Sequence, residues 1–181
     1  MSVAEGLDPA KVKKVVTGGD VGSLEFLNRG EVDGFITYIG SESAFKQRKI
    51  ELHYLNTDEF AKMPGDSYFV KTADVEKEAE AITGFLRASR KGYQFVEKPE
   101  NIEKVLSAVG AFNKVEVSDE ELAKLKVEAQ PRVCKPASGD YLSIDMPAWE
   151  SGIELMRKSG IMKDTKLPIE DFVTTRFVEQ I

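Results

Sequence analysis

The feature that most constrains the fold is a pair of short β-branched runs with a helical stretch between them. The first run is KVKKVVT over residues 11–17, and the second is VDGFITY over residues 32–38. Residues 18–20 form a predicted tight turn, and the amphipathic stretch that follows ends at Gly30. Asp20 is of a type that caps helix starts, and glycine commonly follows helix ends. The order strand, helix, strand predicts parallel strands and an α/β architecture.

The rest of the chain is predicted to be mostly helical. ELHYL at residues 51–55 and SYFV at residues 67–70 are two further strand candidates. Apolar residues then recur at helical spacing over residues 75–96. Later helices are predicted over residues 99–109, 118–129 and 147–158. The expected fold is therefore α/β, with parallel-rich sheet elements and a helix-rich C-terminal half.

The composition excludes several kinds of site. The chain carries 31 acidic and 25 basic residues, for a formal charge of −6. This balance argues against a nucleic-acid partner, which would need a basic stripe. Cys134 is the single cysteine, so an intramolecular disulfide and a cysteine-based metal cage are excluded. His53 is the single histidine, which argues against a histidine-rich metal site.

The chain start bears on location. It lacks the basic segment and apolar run of a secretory signal. No run reaches the ~18 apolar residues that a membrane helix needs. We therefore expect a cytoplasmic protein if the chain is complete as given, and a periplasmic or extracytoplasmic one if it is part of a longer exported protein.

Six residues at predicted turns and strand ends are candidate ligand contacts. Backbone N–H groups at a helix start can hold an anion, and ligands bind at the carboxyl ends of strands in open α/β sheets. The alternatives are a purely structural βα turn and a tyrosine that simply packs. No GxGxxG or GxxxxGK[ST] motif supports nucleotide binding. The candidates are Gly18, Gly19, Asp20, Tyr38, Ser41 and Glu42.

No catalytic constellation is visible in the sequence. His53 has no neighbouring partner in the chain, and catalysis requires positioned partners. A nucleophilic Cys134 would need a base, for which only His53 is available. We therefore predict no catalytic residue, no cofactor and no metal, and the residues favour binding over an enzymatic activity.

Four stretches in order resemble the substrate-binding proteins of ABC importers, in the group that handles nitrate, taurine, aliphatic sulfonates and thiamine pyrimidine precursors. Together they span nearly the whole chain. The resemblance implies a partial type 2 periplasmic-binding fold. The stretches are AEGLDPAKVKKVVTGG (4–19), LEFLNRGEVDGFITY (24–38), AITGFLRASRKGYQFVEKPENIEKVL (81–106) and AWESGIELMRKSGIMKDTKLPIEDFVTTRFVEQI (148–181).

The resemblance also implies a domain layout. Residues 1–38 would complete the second lobe, residues 39–50 would form a hinge crossing, and residues 51–181 would be the C-terminal part of the first lobe. The first part of such a protein would have no counterpart here, so the chain is expected to be the C-terminal portion. The family often has Trp-Glu-Pro where this chain has Tyr38, Ile39 and Gly40, so the ligand class is not carried over.

The function implied by the resemblance is solute binding for an importer. A small anionic or heteroaromatic solute would be held in an interlobe cleft, and lobe closure would deliver it to an ABC permease. Two alternatives stay open: a pyrimidine-precursor biosynthesis enzyme of the same fold, and an intracellular small-ligand sensor or interaction module. Missing strands would leave sheet edges uncovered and half a cleft absent, so self-association or a loose fold and weak binding are expected.

Overall fold

The computed structural model describes residues 5–136, 140–163 and 168–181, and the regular structure within these ranges is helical. None of the helices there is long and apolar enough to cross a bilayer. Short 3₁₀ turns connect several of them. The helices are α1 (Asp20–Asn28), α2 (Glu42–Gln47), α3 (Thr72–Lys77), α4 (Ala79–Val96), α5 (Ile102–Phe112), α6 (Glu120–Cys134) and α7 (Met146–Lys158).

The expected parallel sheet is absent from the described part of the chain. Residues 12–18 and 34–38 form neither helix, strand nor bridge there. Val16 is 97% exposed and Ile36 is 92% exposed, so neither lies in a covered sheet. A β-branched run favours extended backbone locally, but a strand exists only through hydrogen bonds to a neighbour. The α/β class, with the sheet of a type 2 periplasmic-binding fold, is therefore wrong for the described structure.

The other two strand candidates also form no strand in the described structure. Residues 51–55 and 67–70 are irregular, and Phe69 projects into solvent. The helices of the C-terminal half are present close to where their periodicity predicts them, but α6 does not end before Pro131 and continues through it to Cys134. The long pattern over residues 75–96 is divided, because Glu78 leaves the helical conformation between α3 and α4.

The chain divides into two compact units. One, which we call the α5–α6 unit, comprises Ala10–His53 and Val96–Cys134. The other, the α4–α7 unit, comprises the described residues up to Pro9, Tyr54–Phe95, and those from Lys135 onward. The assignment of residues 1–38, 39–50 and 51–181 to lobes and a hinge stays a prediction.

Phe45 of α2 is the centre of the α5–α6 unit. It is 1% exposed, and its ring meets the ring of Phe35 edge-on with 6.0 Å between centroids. Gln47 Nε2 donates to both carboxylate oxygens of Asp119, at 2.9 and 3.0 Å. Asp119 also accepts from the backbone N–H of Leu122 at 3.0 Å, so it caps α6. These contacts fix α2 between α6 and the irregular stretch at residues 34–38.

Aromatic rings organise the α4–α7 unit. The ring of the buried Tyr141 stacks on that of Tyr93, with centroids 5.3 Å apart and planes 11° from parallel. The hydroxyl oxygens of Tyr93 and Tyr68 are 3.4 Å apart, and the Tyr68 ring meets Phe85 edge-on at 5.2 Å. Arg90 Nε donates to the Tyr141 carbonyl at 3.1 Å. This cluster holds α4 against the segment that precedes α7.

Candidate functional site

The start of α1 is a close-packed turn built on glycine. Gly18 has a φ of +82°, a left-handed conformation that glycine adopts without strain. Gly19 is extended and precedes the first residue of α1. Ser23 N donates to the Gly19 carbonyl at 3.0 Å, and the hydroxyls of Thr17 and Ser23 are 2.6 Å apart. The helix is therefore tied back to the residues that lead into it.

Gly22 is a residue of this turn that the sequence reasoning missed. A Cβ at this position would lie 2.5 Å from the Thr17 carbonyl oxygen. Only glycine lets the backbone of residue 17 approach α1 this closely. The signal in the sequence is a glycine in the first turn of a predicted helix, where glycine is otherwise unfavourable.

The Asp20 side chain joins two parts of the predicted site. Its Oδ1 atom accepts a hydrogen bond from Thr37 Oγ1 at 2.6 Å. The first turn of α1 therefore lies against the residue immediately before Tyr38. A carboxylate is also well placed at a helix start, where the backbone dipole is positive.

Tyr38, Ser41 and Glu42 lie where the chain turns into α2. The Tyr38 side chain is 85% exposed, so its ring is available to solvent and is not part of a packed core. Ser41 N donates to the Tyr38 carbonyl at 2.9 Å, which forms the turn, and Glu42 is the first residue of α2. The Glu42 carboxylate forms an ion pair with Arg132 of α6.

The charge of these loops is dominated by carboxylates. We call residues 18–20 and 37–42 together the two-loop site. Asp20 and Glu42 contribute two negative charges, and Arg132 is engaged with Glu42. Among the described residues, no donor reaches the second carboxylate oxygen of Asp20. The site can therefore accept an N–H or O–H donor from a ligand.

The other reactive side chains of the chain are those of its single histidine and its single cysteine. His53 is exposed. Cys134 is half-buried and not in a disulfide, and its Sγ donates to Gln130 Oε1 at 3.2 Å. Within the part of the chain that the structure describes, no group of three or more His, Cys, Asp or Glu side chains is arranged to hold a metal ion.

A shallow recess of about 190 Å³ lies in the α4–α7 unit. One face of α7 forms one wall, and the turn near the chain end forms the other. The helical periodicity marks the α7 face, but nothing in the sequence indicates that the two walls leave a space. The recess is lined by Glu150, Ile153, Arg157, Pro168, Ile169 and Phe172.

Comparison with known proteins gives one family. A family model described as NMT1/THI5 like matches residues 1–102, which is more than half of the chain. No curated protein and no solved structure matches. The matched range includes the whole two-loop site, and the match confirms the resemblance to the nitrate, taurine and thiamine-precursor binding group.

Proposed function

Because the chain belongs to the NMT1/THI5-like family of substrate-binding proteins, we propose that it binds a small solute at the two-loop site and delivers it to an ABC permease. We propose further that this solute is a heteroaromatic ring carrying N–H donors and not an inorganic or sulfonate anion. One observation carries the choice: the Asp20–Thr37 hydrogen bond, which places a carboxylate beside the loop of the exposed Tyr38.

The negative charge of Asp20 opposes the binding of an anion at the start of α1. Two like charges about 4 Å apart near a protein surface repel by about 4 kcal/mol at an effective dielectric constant of about 20. The positive end of a helix is equivalent to about half a unit charge, so it offsets only part of that repulsion. Asp20 occupies the first turn of α1, where an anion would otherwise bind. An anion at this helix start would therefore face a net penalty.

The groups of the two-loop site are complementary to an aromatic solute that carries N–H donors. The exposed Tyr38 ring offers a face for stacking, which is worth about 0.5–1.5 kcal/mol beyond the area buried. The Asp20 carboxylate accepts from ring N–H or amino groups, and hydrogen bonds to a charged acceptor are worth about 1.5–3 kcal/mol. An aminopyrimidine carries both features.

A solute-binding protein of this kind would hand its solute to a membrane permease. In this proposal the protein closes around its solute by hinge motion and presents it to the importer without changing it chemically. The setting that we propose is extracytoplasmic, with this chain acting as part of an exported protein.

Isothermal titration calorimetry tests the choice of solute. We expect 4-amino-5-hydroxymethyl-2-methylpyrimidine to bind with a Kd weaker than about 1 µM, and nitrate and taurine to bind at least roughly tenfold more weakly. Asp20→Asn keeps an acceptor for Thr37 but removes the charge, so it should weaken pyrimidine binding and improve nitrate binding. Tyr38→Ala should weaken pyrimidine binding alone.

The matched control is Phe172→Ala, which alters the recess of the α4–α7 unit and should leave pyrimidine binding unchanged. Tighter binding of nitrate or taurine than of the pyrimidine would overturn the choice of solute. Pyrimidine binding that responds to Phe172→Ala but not to Asp20→Asn would overturn the location of the site.

A further inference from the structure

Two stretches of the α5–α6 unit leave apolar side chains in solvent. We call residues 11–16 (KVKKVV) the basic stretch and residues 31–36 (EVDGFI) the acidic stretch. Val16 and Ile36 are almost fully exposed, and Val12 and Val15 are also exposed. Burying such side chains is worth about 1.5–3 kcal/mol each, so these stretches have a strong tendency to be covered.

The backbone of both stretches is also available for pairing. Within the described ranges, residues 12–16 and 32–36 form no backbone hydrogen bond to another segment. In the acidic stretch, Phe35 packs against Phe45 while its neighbour Ile36 points to solvent. Both stretches contain β-branched or aromatic residues of the kind that favour strands. Unpaired backbone of this kind is a template for another chain.

The charges of the two stretches are complementary. Lys11, Lys13 and Lys14 lie at the beginning of the basic stretch, and Glu31 and Asp33 lie at the beginning of the acidic stretch. All five side chains are exposed, and Glu31 makes an exposed contact with Arg29 at 3.9 Å. Parallel alignment would place the opposite charges side by side. In the same register, Val16 would lie opposite Ile36 and Val12 opposite Val32.

We propose that the basic stretch of one copy pairs in parallel with the acidic stretch of a second copy, and that the reverse pairing forms at the same time. A single copy leaves both stretches uncovered. A second copy supplies an acidic stretch for the basic one and a basic stretch for the acidic one. A two-fold axis makes the two pairings equivalent, so the assembly closes as a dimer. The pairing uses none of the residues of the two-loop site, so it stands independently of the proposed function.

Complementary charge reversal tests this arrangement. In one variant, Lys13→Glu with Lys14→Glu makes both stretches acidic; in the other, Glu31→Lys with Asp33→Lys makes both basic. Sedimentation velocity at up to roughly 200 µM should show a dimer for the original chain and monomers for each variant alone. An equimolar mixture of the two variants should recover dimer, because each stretch again meets an opposite charge.

Two controls distinguish this pairing from a general effect of net charge and from unfolding. Lys104→Glu with Lys124→Glu changes the net charge equally on exposed helical positions of the same unit, so the dimer should persist. Far-UV circular dichroism shows whether a variant has lost its helices. If one has, Val16→Pro is tested in its place, because it removes one backbone N–H donor from the basic stretch. A monomeric original chain, or a mixture that stays monomeric, overturns the proposal and favours pairing of the two stretches within one copy.

Discussion

Replacing Gly22 by alanine reverses the usual effect of a glycine-to-alanine change in a helix. At an unobstructed helical position, alanine is more favourable than glycine by about 0.8–1 kcal/mol. At Gly22 the new Cβ would lie 2.5 Å from the Thr17 carbonyl oxygen, whereas ordinary contacts begin at 3.4 Å. The obstacle is backbone, so the start of α1 itself must move.

The expected magnitude follows from these two effects. Overpacking of this kind costs about 1–3 kcal/mol, and helix propensity returns at most about 1 kcal/mol. We therefore expect Gly22→Ala to lower the free energy of unfolding by about 0–2 kcal/mol, in place of the usual gain. Moving α1 also disturbs the bond between Asp20 and Thr37, so solute affinity at the two-loop site should fall in the same variant.

Urea denaturation followed by far-UV circular dichroism measures the change. Gly84→Ala is the matched control, because Gly84 lies within α4 and a Cβ there meets nothing within 4 Å. This control should be neutral or more stable by up to about 1 kcal/mol. If Gly22→Ala proves as stabilising as Gly84→Ala, the close approach of Thr17 to α1 is wrong, and with it the geometry of the site.

Two further predictions concern the packing of α2. Phe45→Ala should cost about 3–5 kcal/mol in urea denaturation because it empties the centre of the α5–α6 unit, whereas Phe112→Ala, at an exposed position of α5, should change stability by less than about 0.5 kcal/mol. Hydrogen bonds from Gln47 and then from the Leu122 N–H hold the pKa of Asp119 below its ordinary value of 3.8. The stabilisation by Asp119 is therefore present above its unfolded-state pKa and lost as the pH falls through the folded-state pKa. Asp119→Asn should lower the urea midpoint at neutral pH and match the original chain in strong acid; a difference that persists in acid would contradict this.

Helices were predictable from the sequence because their hydrogen bonds are local. The periodicity over residues 147–158 and the structure of α7 agree closely, and Asp145 caps this helix by accepting from Ala148 N. Details at the ends depend on neighbours. Ser118 is a typical cap residue, yet its hydroxyl donates to Val115, and Asp119 caps α6 with support from Gln47.

Strands were not predictable from the same kind of pattern. KVKKVVT and VDGFITY have the composition of strands, but whether they pair depends on which backbone lies beside them. In the described structure that neighbour is absent, and Val16 and Ile36 remain in solvent. In the site, residues 18–20 were identifiable as a turn, and Tyr38, Ser41 and Glu42 were identifiable only as the end of a predicted strand that does not form. Gly22 and Thr37 gain their roles from tertiary approach, which no local pattern shows.

The Asp20–Thr37 bond also explains why solute binding and chain pairing can be separated experimentally. Thr37 directly follows the acidic stretch, so the bond holds the end of that stretch against α1. Asp20→Asn changes the charge presented to a solute but keeps an acceptor for Thr37, so the stretch should stay in place and the dimer should persist. Reversal of Lys13 and Lys14 acts on pairing but not on the carboxylate of Asp20. If charge reversal of these lysines also abolished solute binding, the two-loop site and the pairing surface would not be separate. The solute would then bind at the junction of two copies.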